Sequence, residues 1–395
     1  MPIQQKAALR RVLALLLVTL LAACGGATAM VAGPDATPDG FVRRHIPDAL
    51  LARKAIAYSG YRVGQNPDLH IYPSEAEIKQ DLELLVRGGW GLIRLFDTGP
   101  HAERVLKVIA ENHLELKVML GVWISGGKAL HEAENRDQIQ RCVMLVKQYD
   151  ALVAAVSVGN EVLDDWSNVR TPAAELAAYI SEVRGLITQP VTTDDSWLPF
   201  MLGKDGATDY SDVILVARAA DFLSLHVYAF ADAFYESWEW RQENVPEDRR
   251  AMAMMNAAIA YTKASIRDVR VVLQGKGIDI PIMIGEMGWK STTHASAADA
   301  PERAIERYFA HPYNQKVFYD ATVDWVYGKS KDADSPIAAF VFEAFDEPWK
   351  SDDDNWGLFD VTRTPKFVIW GLYPELEPVG AMAPGESDAV YYKKP

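Results

Sequence analysis

Little in this chain can crosslink it. Cysteine occurs only twice in 395 residues, at Cys24 and Cys142, so there is no disulfide framework and an exported fold must rest on its core. Cys142 sits in an apolar helical run and reads as a buried, inert thiol. Positive charge is also short. Lys and Arg number 40 against 54 Asp and Glu, a formal charge of −14, and an acidic surface repels the phosphate backbone, which excludes nucleic acid as a partner. Beyond the first two dozen residues no run is apolar enough to cross a bilayer, which asks for roughly 20 residues. The eight histidines form no HExxH and no cluster of metal-ligand spacing, and CxxC pairs are missing, so no metal is expected. Without a GxSxG elbow there is no serine hydrolase site. No organic cofactor is expected either.

What is present begins with an address. Lys6, Arg10 and Arg11 precede the apolar stretch VLALLLVTL at 12–20, the n-region and h-region of a signal peptide. The stretch ends in Leu21-Ala22-Ala23-Cys24-Gly25, which resembles a bacterial lipobox. That pattern implies cleavage before Cys24 and lipid on its thiol and new amine; the plainer alternative is an ordinary cleaved signal peptide. The expected layout is a leader over 1–23, a polar Pro/Gly-bearing tether over 24–50, one α/β domain over 51–380 and a tail over 381–395. The protein is then an exported envelope lipoprotein, held to a membrane by its amino end.

Along the domain one pattern recurs: a short apolar run, a polar segment, an amphipathic helix. Runs stand at 54–62, 91–97, 117–124, 153–161, 191–195, 222–230, 280–289 and 338–345. The fifth, VTTDD, is the most polar of them. Nearly continuous hydrophobicity suits strands covered on both faces, as in a parallel sheet. Between them, Ser74 and Glu77 have the spacing of a capping box opening a helix that Gly88 and Gly89 would end. Thr171-Pro172 reads as a cap followed by a first-turn proline, and 133–149, 249–275 and 300–328 are the other long helices. Eight strands alternating with helices predict a (β/α)8 TIM barrel. The rival, an open doubly wound sheet, would usually carry a Gly-rich phosphate loop after an early strand, and none stands here.

In such barrels the active site lies at the carboxyl ends of the strands, and polar residues crowd at the ends of these runs. They include Arg94, Asp97, Trp123, Asn160, Glu161, His226, Tyr228, Glu286, Trp289, Glu343, Asp346 and Glu347. A carboxylate ending a buried strand is costly unless paired or functional. Glu161 and Glu286 each close an apolar run, and runs four and seven fall on opposite sides of an eight-strand ring. Two facing carboxyls suit glycosidic cleavage, one protonating the leaving oxygen and the other attacking the anomeric carbon; the plain alternative is two acids neutralised by barrel arginines. His226 reads as a strand-end hydrogen-bonding residue. Of eleven tryptophans, eight follow predicted strands: Trp123, Trp166, Trp197, Trp238, Trp240, Trp289, Trp349 and Trp356. Indole faces stack on the C–H face of a pyranose, so their concentration points to sugar. The loop 231–248, aromatic and acidic, either walls off one end of a groove or merely decorates the surface.

At these residues the chain resembles glycoside hydrolase family 17. The likeness is carried by AYSGYR (57–62), GLIRLFD (91–97), SVGNEV (157–162), LHVYAF (225–230), IGEMGWKS (284–291), FEAFDEPWK (342–350) and NWGLFD (355–360). The resemblance implies a retaining hydrolase or transglycosylase of β-1,3-glucan, with Glu161 as acid/base and Glu286 as nucleophile. It further implies that Asn160 holds the sugar 2-hydroxyl and that Arg94 and Tyr228 hydrogen-bond the nucleophile. Tyr58, Glu347 and Lys350 would line the glucose site, with Trp289 on the binding face. A different β-glycan of the same clan, mannan or cellulose-like, is the enzymatic alternative, and a glucan-binding lipoprotein without turnover is the non-enzymatic one.

Overall fold

The computed structural model describes residues 41–51, 53–294, 301–350, 354–386 and 391; the leader, Cys24 and most of the expected tether lie outside them. All eight predicted runs form strands. They are β1 (Lys54–Ala57), β2 (Trp90–Leu95), β3 (Lys117–Val122), β4 (Val153–Asn160), β5 (Val191–Ser196), β6 (Leu223–His226), β7 (Ile282–Met287) and β8 (Ala339–Val341). They close into a barrel in the order β1-β8-β7-β6-β5-β4-β3-β2, every pair parallel. The expected (β/α)8 barrel is the fold.

The connecting helices are α1 (Glu75–Arg87), α2 (Pro100–Glu111), α3 (Lys128–Gln148), α4 (Ala173–Leu186), α5 (Ile214–Ala219), α6 (Arg250–Gly275) and α7 (Pro312–Tyr327). After β8 the chain makes 3-10 turns instead, including Phe367–Leu372, which packs on α7. The capping box forms as read: the Ser74 hydroxyl accepts from the Glu77 amide and Glu77 reaches back to the Ser74 amide. The cap of α4 differs. Thr171 does not cap it; its hydroxyl bonds Val169 O, and Pro172 takes the N-cap position without a side-chain bond. Cys142 is fully buried on α3, and burial pushes its thiol up to about 12.

Strand side chains alternate between two layers. Ile56, Ile93, Val118, Val156, Leu225 and Ile284 face the helices. Ala55, Leu92, Met119, Ala155, Phe222, Met283 and Phe340 fill the barrel interior, joined there by Ile46 and Leu50. Residues 41–50, expected as the end of a tether, thus anchor to the barrel through the buried Ile46 and Leu50. A short turn at Asp48–Leu51 buries Leu50 in that interior cluster. Beside it Arg44 donates to Arg184 O in the last turn of α4 and to Gln189 O just before β5, while its amide bonds Asp221 just before β6. This arm plugs the end of the barrel where the strands begin. Above the apolar plug the interior turns polar, and that change of character creates the site.

Candidate active site

The polar layer starts from β2. Arg94, 1 % exposed, points inward and spends its guanidinium on three strands at once. Its Nε donates to Asp194 of β5 at 2.6 Å, Nη1 to Glu286 of β7 at 2.5 Å, and Nη2 to Asn160 of β4. A planar fork suits this task where a lysine would not. The other oxygen of Glu286 accepts from the Tyr228 hydroxyl at 2.6 Å. His226, opposite Glu286 in the β6–β7 register, sets its Nδ1 3.0 Å from Glu161 Oε1 and 3.6 Å from Glu286 Oε2. One ligating atom each of Glu161, His226 and Glu286 lie within 4.8 Å of one another. Runs four and seven thus meet across the mouth.

The two carboxyls sit in unlike surroundings. Glu286 is 5 % exposed; burial alone would raise its carboxyl, but His226, Arg94 and the Tyr228 hydroxyl outweigh burial and hold it below the usual range. Burial, then the Glu286 charge, pushes the Tyr228 phenol far up, so it stays a donor. Burial opposes a charged His226, yet Glu286 and Glu161 raise it. Glu161 keeps its side chain 27 % exposed, on the open side of the pair. An anchored, ionised carboxylate facing a solvent-reached one has the unlike environments that a nucleophile and an acid/base require. Among the described residues the Glu161–His226–Glu286 group also has the spacing to take a metal ion. Arg94 and Tyr228 already occupy both oxygens of Glu286, so a cation would have to share that carboxylate with a guanidinium.

A second polar cluster joins β1 to the segment after β8. Glu347 accepts from Ser59 Oγ at 2.6 Å, the Tyr61 amide at 3.2 Å and Trp349 Nε1 at 2.9 Å. Lys350 bridges Glu347 at 3.2 Å and Glu343 at 2.5 Å. Burial works against the Glu347 charge, but Lys350 and Ser59 hold that carboxyl low. Glu343 goes far up, through burial first and then, despite Lys350, the charges of Asp354 and Glu347.

Of the residues expected at the site, Arg94, Asn160, Glu161, Tyr228 and Glu286 form one cluster, and Glu347 and Lys350 form the second. Two are elsewhere. Tyr58 is 1 % exposed and sends its hydroxyl outward to Asp81 of α1 at 3.4 Å; its neighbours Ser59 and Tyr61 make the contacts to Glu347. Trp289 is 2 % exposed, bonds Phe309 O at 2.8 Å and packs against Phe230 and Phe318, so it is core behind β7. Trp238 and Trp240 are buried as well, whereas Trp166 is 57 % exposed. Sequence reasoning missed Asp194 and Asp195. Glu161 and Glu286 each close an apolar run, whereas these two end the polar stretch VTTDD, so the criterion that singled out the glutamates passed over them.

The geometry agrees with what comparison finds. Residues 55–358 match the model of the BtgE/BtgC glycoside hydrolase domain. A glucan 1,3-beta-glucosidase of Arthroderma benhamiae is 25% identical over 307 residues, covering 74% of this chain and 84% of its own. The enzyme of that name from Schizosaccharomyces pombe is 29% identical over 284 residues, covering 68% and 72%. Among solved structures, an endo-laminarinase from Formosa Hel1_33_131 superposes with a TM-score of 0.71 at 25% identity, over 86% of this chain and 93% of that one. A Rhizomucor miehei beta-1,3-glucanosyltransferase shares the fold, with a TM-score of 0.52 at 19% identity over 80% and 95%. The family 17 likeness read from the motifs therefore holds, and the chain, a glycosidase, belongs to the BtgE/BtgC glycoside hydrolase family.

Proposed function

We propose that this protein is a retaining hydrolase or transglycosylase of β-1,3-glucan working by double displacement, with Glu286 as nucleophile and Glu161 as acid/base. The observation that carries this is the pair of carboxyl oxygens within 4.8 Å, one anchored and ionised, the other reachable from solvent; retaining enzymes separate theirs by roughly 5–5.5 Å and inverting ones by more. A Glu286 oxygen attacks the anomeric carbon while the bond from that carbon to the glycosidic oxygen breaks, and Glu161 gives its proton to the departing glycosidic oxygen. Glu161, now a carboxylate near His226, then takes a proton from water or from a hydroxyl of a second glucan. The freed oxygen attacks the same carbon and releases Glu286. Arg94 and Tyr228 keep Glu286 ionised and aimed, and Asn160, fixed by Arg94, presents its amide to the sugar 2-hydroxyl. The β-1,3-glucan assignment rests on the relatives' names and on the laminarinase neighbour. The proposal includes export and a lipid anchor at Cys24, supported by the leader and the lipobox-like stretch.

The test is product analysis of laminari-oligosaccharide digests with three variants. Glu286→Ala abolishes turnover. Glu161→Ala acting on an activated aryl glycoside regains turnover with azide and releases a β-glycosyl azide. An α-glycosyl azide, or no rescue, refutes the division of roles. Products longer than the substrate mark transfer, and shorter ones alone mark hydrolysis. Cys24→Ser frees the protein from membranes; a variant that still sediments with them removes the anchor.

A further inference from the structure

The acid/base sits on a backbone that does not hold itself. Glu161 has φ +50° and Gly159, two residues before it, φ +86°. Left-handed geometry is easy for glycine and unfavourable for glutamate. A side chain kept in such a conformation needs outside support, and here it comes from β5. The Glu161 amide bonds Asp194 O at 2.9 Å. The next two amides, of Val162 and Leu163, both donate to one oxygen of Asp195, at 2.9 and 3.0 Å. Its other oxygen accepts from the Ser196 amide at 2.9 Å. Asp195 is fully buried, and in the mechanism above nothing uses it.

Its neighbour makes the meaning plainer. Asp194 and Asp195 point to opposite sides of the strand. Asp194 faces the barrel interior, where it holds Arg94 and through it Glu286. Asp195 faces the loop that follows Glu161. One dipeptide of the fifth strand therefore touches the supports of both carboxyls.

We propose that Asp195 is a positioning residue for the acid/base: by accepting the two amides after Glu161 it fixes the left-handed turn that aims that carboxyl across the mouth. The inference rests on the assignment of Glu161 as acid/base. Asp195 touches neither substrate nor reacting atoms. Burial, with the nearby charges of Asp164 and Glu161, pushes its carboxyl upward; asparagine keeps an oxygen for the two amides and gives up only the acceptor facing the Ser196 amide.

The experiment separates aiming from general damage by choice of leaving group. Laminaritriose needs its leaving oxygen protonated, whereas a 2,4-dinitrophenyl β-laminaribioside does not. Asp195→Ala lowers kcat/KM on laminaritriose by about 100-fold, the order expected when a catalytic group is displaced by about 1 Å, and by less than about threefold on the dinitrophenyl substrate. Azide accelerates its turnover of the latter and yields β-glycosyl azide. Asp195→Asn recovers much of the laminaritriose activity, and Asp194→Asn lowers both substrates alike, because its effect passes through Glu286. In a Glu161→Ala background, Asp195→Ala costs nothing further. If Asp195→Ala does not fold, Asp195→Ser, whose shorter side chain falls short of the two amides, alone and combined with Glu161→Ala gives the same comparison. Equal losses on both substrates, or losses that add to those of Glu161→Ala, overturn the inference. A Glu161→Ala protein that azide fails to rescue overturns the acid/base assignment instead, so the two failures are distinct.

Discussion

Tyr228→Phe removes one oxygen atom and almost nothing else. The ring stays edge-on against Trp356 at 5.3 Å and Phe342 at 6.0 Å, so packing survives. What disappears is the 2.6 Å donor to Glu286 Oε2. Hydrogen bonds to charged groups contribute about 1.5–3 kcal/mol. Were that whole amount felt in the transition state, kcat/KM would fall about 10- to 150-fold, at 1.36 kcal/mol per decade. The pH profile carries the sharper signature. Glu286 is held below the usual carboxyl range against burial, by His226, Arg94 and this hydroxyl, and it works as the ionised form. Losing a donor raises it, so the acid limb of kcat/KM against pH moves to higher pH. Stability follows the same sign. A carboxyl depressed in the fold contributes stability above its unfolded pKa of about 4.3 and loses that contribution as pH falls through its folded value. The deficit of Tyr228→Phe in urea unfolding should therefore be largest near neutrality and shrink on acidification. An acid limb that stays in place, or moves down, refutes the account of Glu286.

Two further perturbations test the parts around it. Trp289→Ala should cost about 3–5 kcal/mol of stability, as a truncated core aromatic does, while Trp289→Phe leaves KM for laminari-oligosaccharides unchanged; a raised KM in a well-folded phenylalanine variant would return Trp289 to the cleft. Lys350→Met strips the counter-charge from buried Glu347 and should cost about 3–5 kcal/mol at neutral pH. Because protonated Glu347 needs no partner, that loss narrows as the pH is lowered through the carboxyl range. A pH-independent loss would mean the ion pair is not its source.

Strand positions were legible because burial on both faces writes near-continuous hydrophobic runs, and all eight runs became strands. Glu161 and Glu286 were legible as acids at the ends of such runs. Direction was not. Strand side chains alternate with a period of two, and proximity to a strand end does not say which layer a residue enters. Tyr58 follows Ile56 outward to Asp81 of α1, and Trp289 enters the core beside Phe309. Asp194 and Asp195 escaped for the opposite reason. VTTDD looks polar, hence exposed, yet Thr192, Thr193, Asp194 and Asp195 are all fully buried. Asp194 lies in a barrel interior that is itself polar at that height and Asp195 lies under the loop after Glu161, tertiary facts that no local pattern contains. Gly285 belongs to the same class: a Cβ there would come 2.5 Å from Asp194 Oδ1, a constraint visible only once β5 and β7 stand around one axis.

The plug at the foot of the barrel sets a polarity for the whole molecule. Ile46 and Leu50 stopper the end at which the strands start, and catalysis is assigned to the end at which they finish. The described chain therefore begins, at residue 41, beneath the cup and not at its brim. A support gripping the enzyme by the arm at 41–50 would leave the opening turned towards passing polymer, with the full height of the barrel standing between the grip and the chemistry.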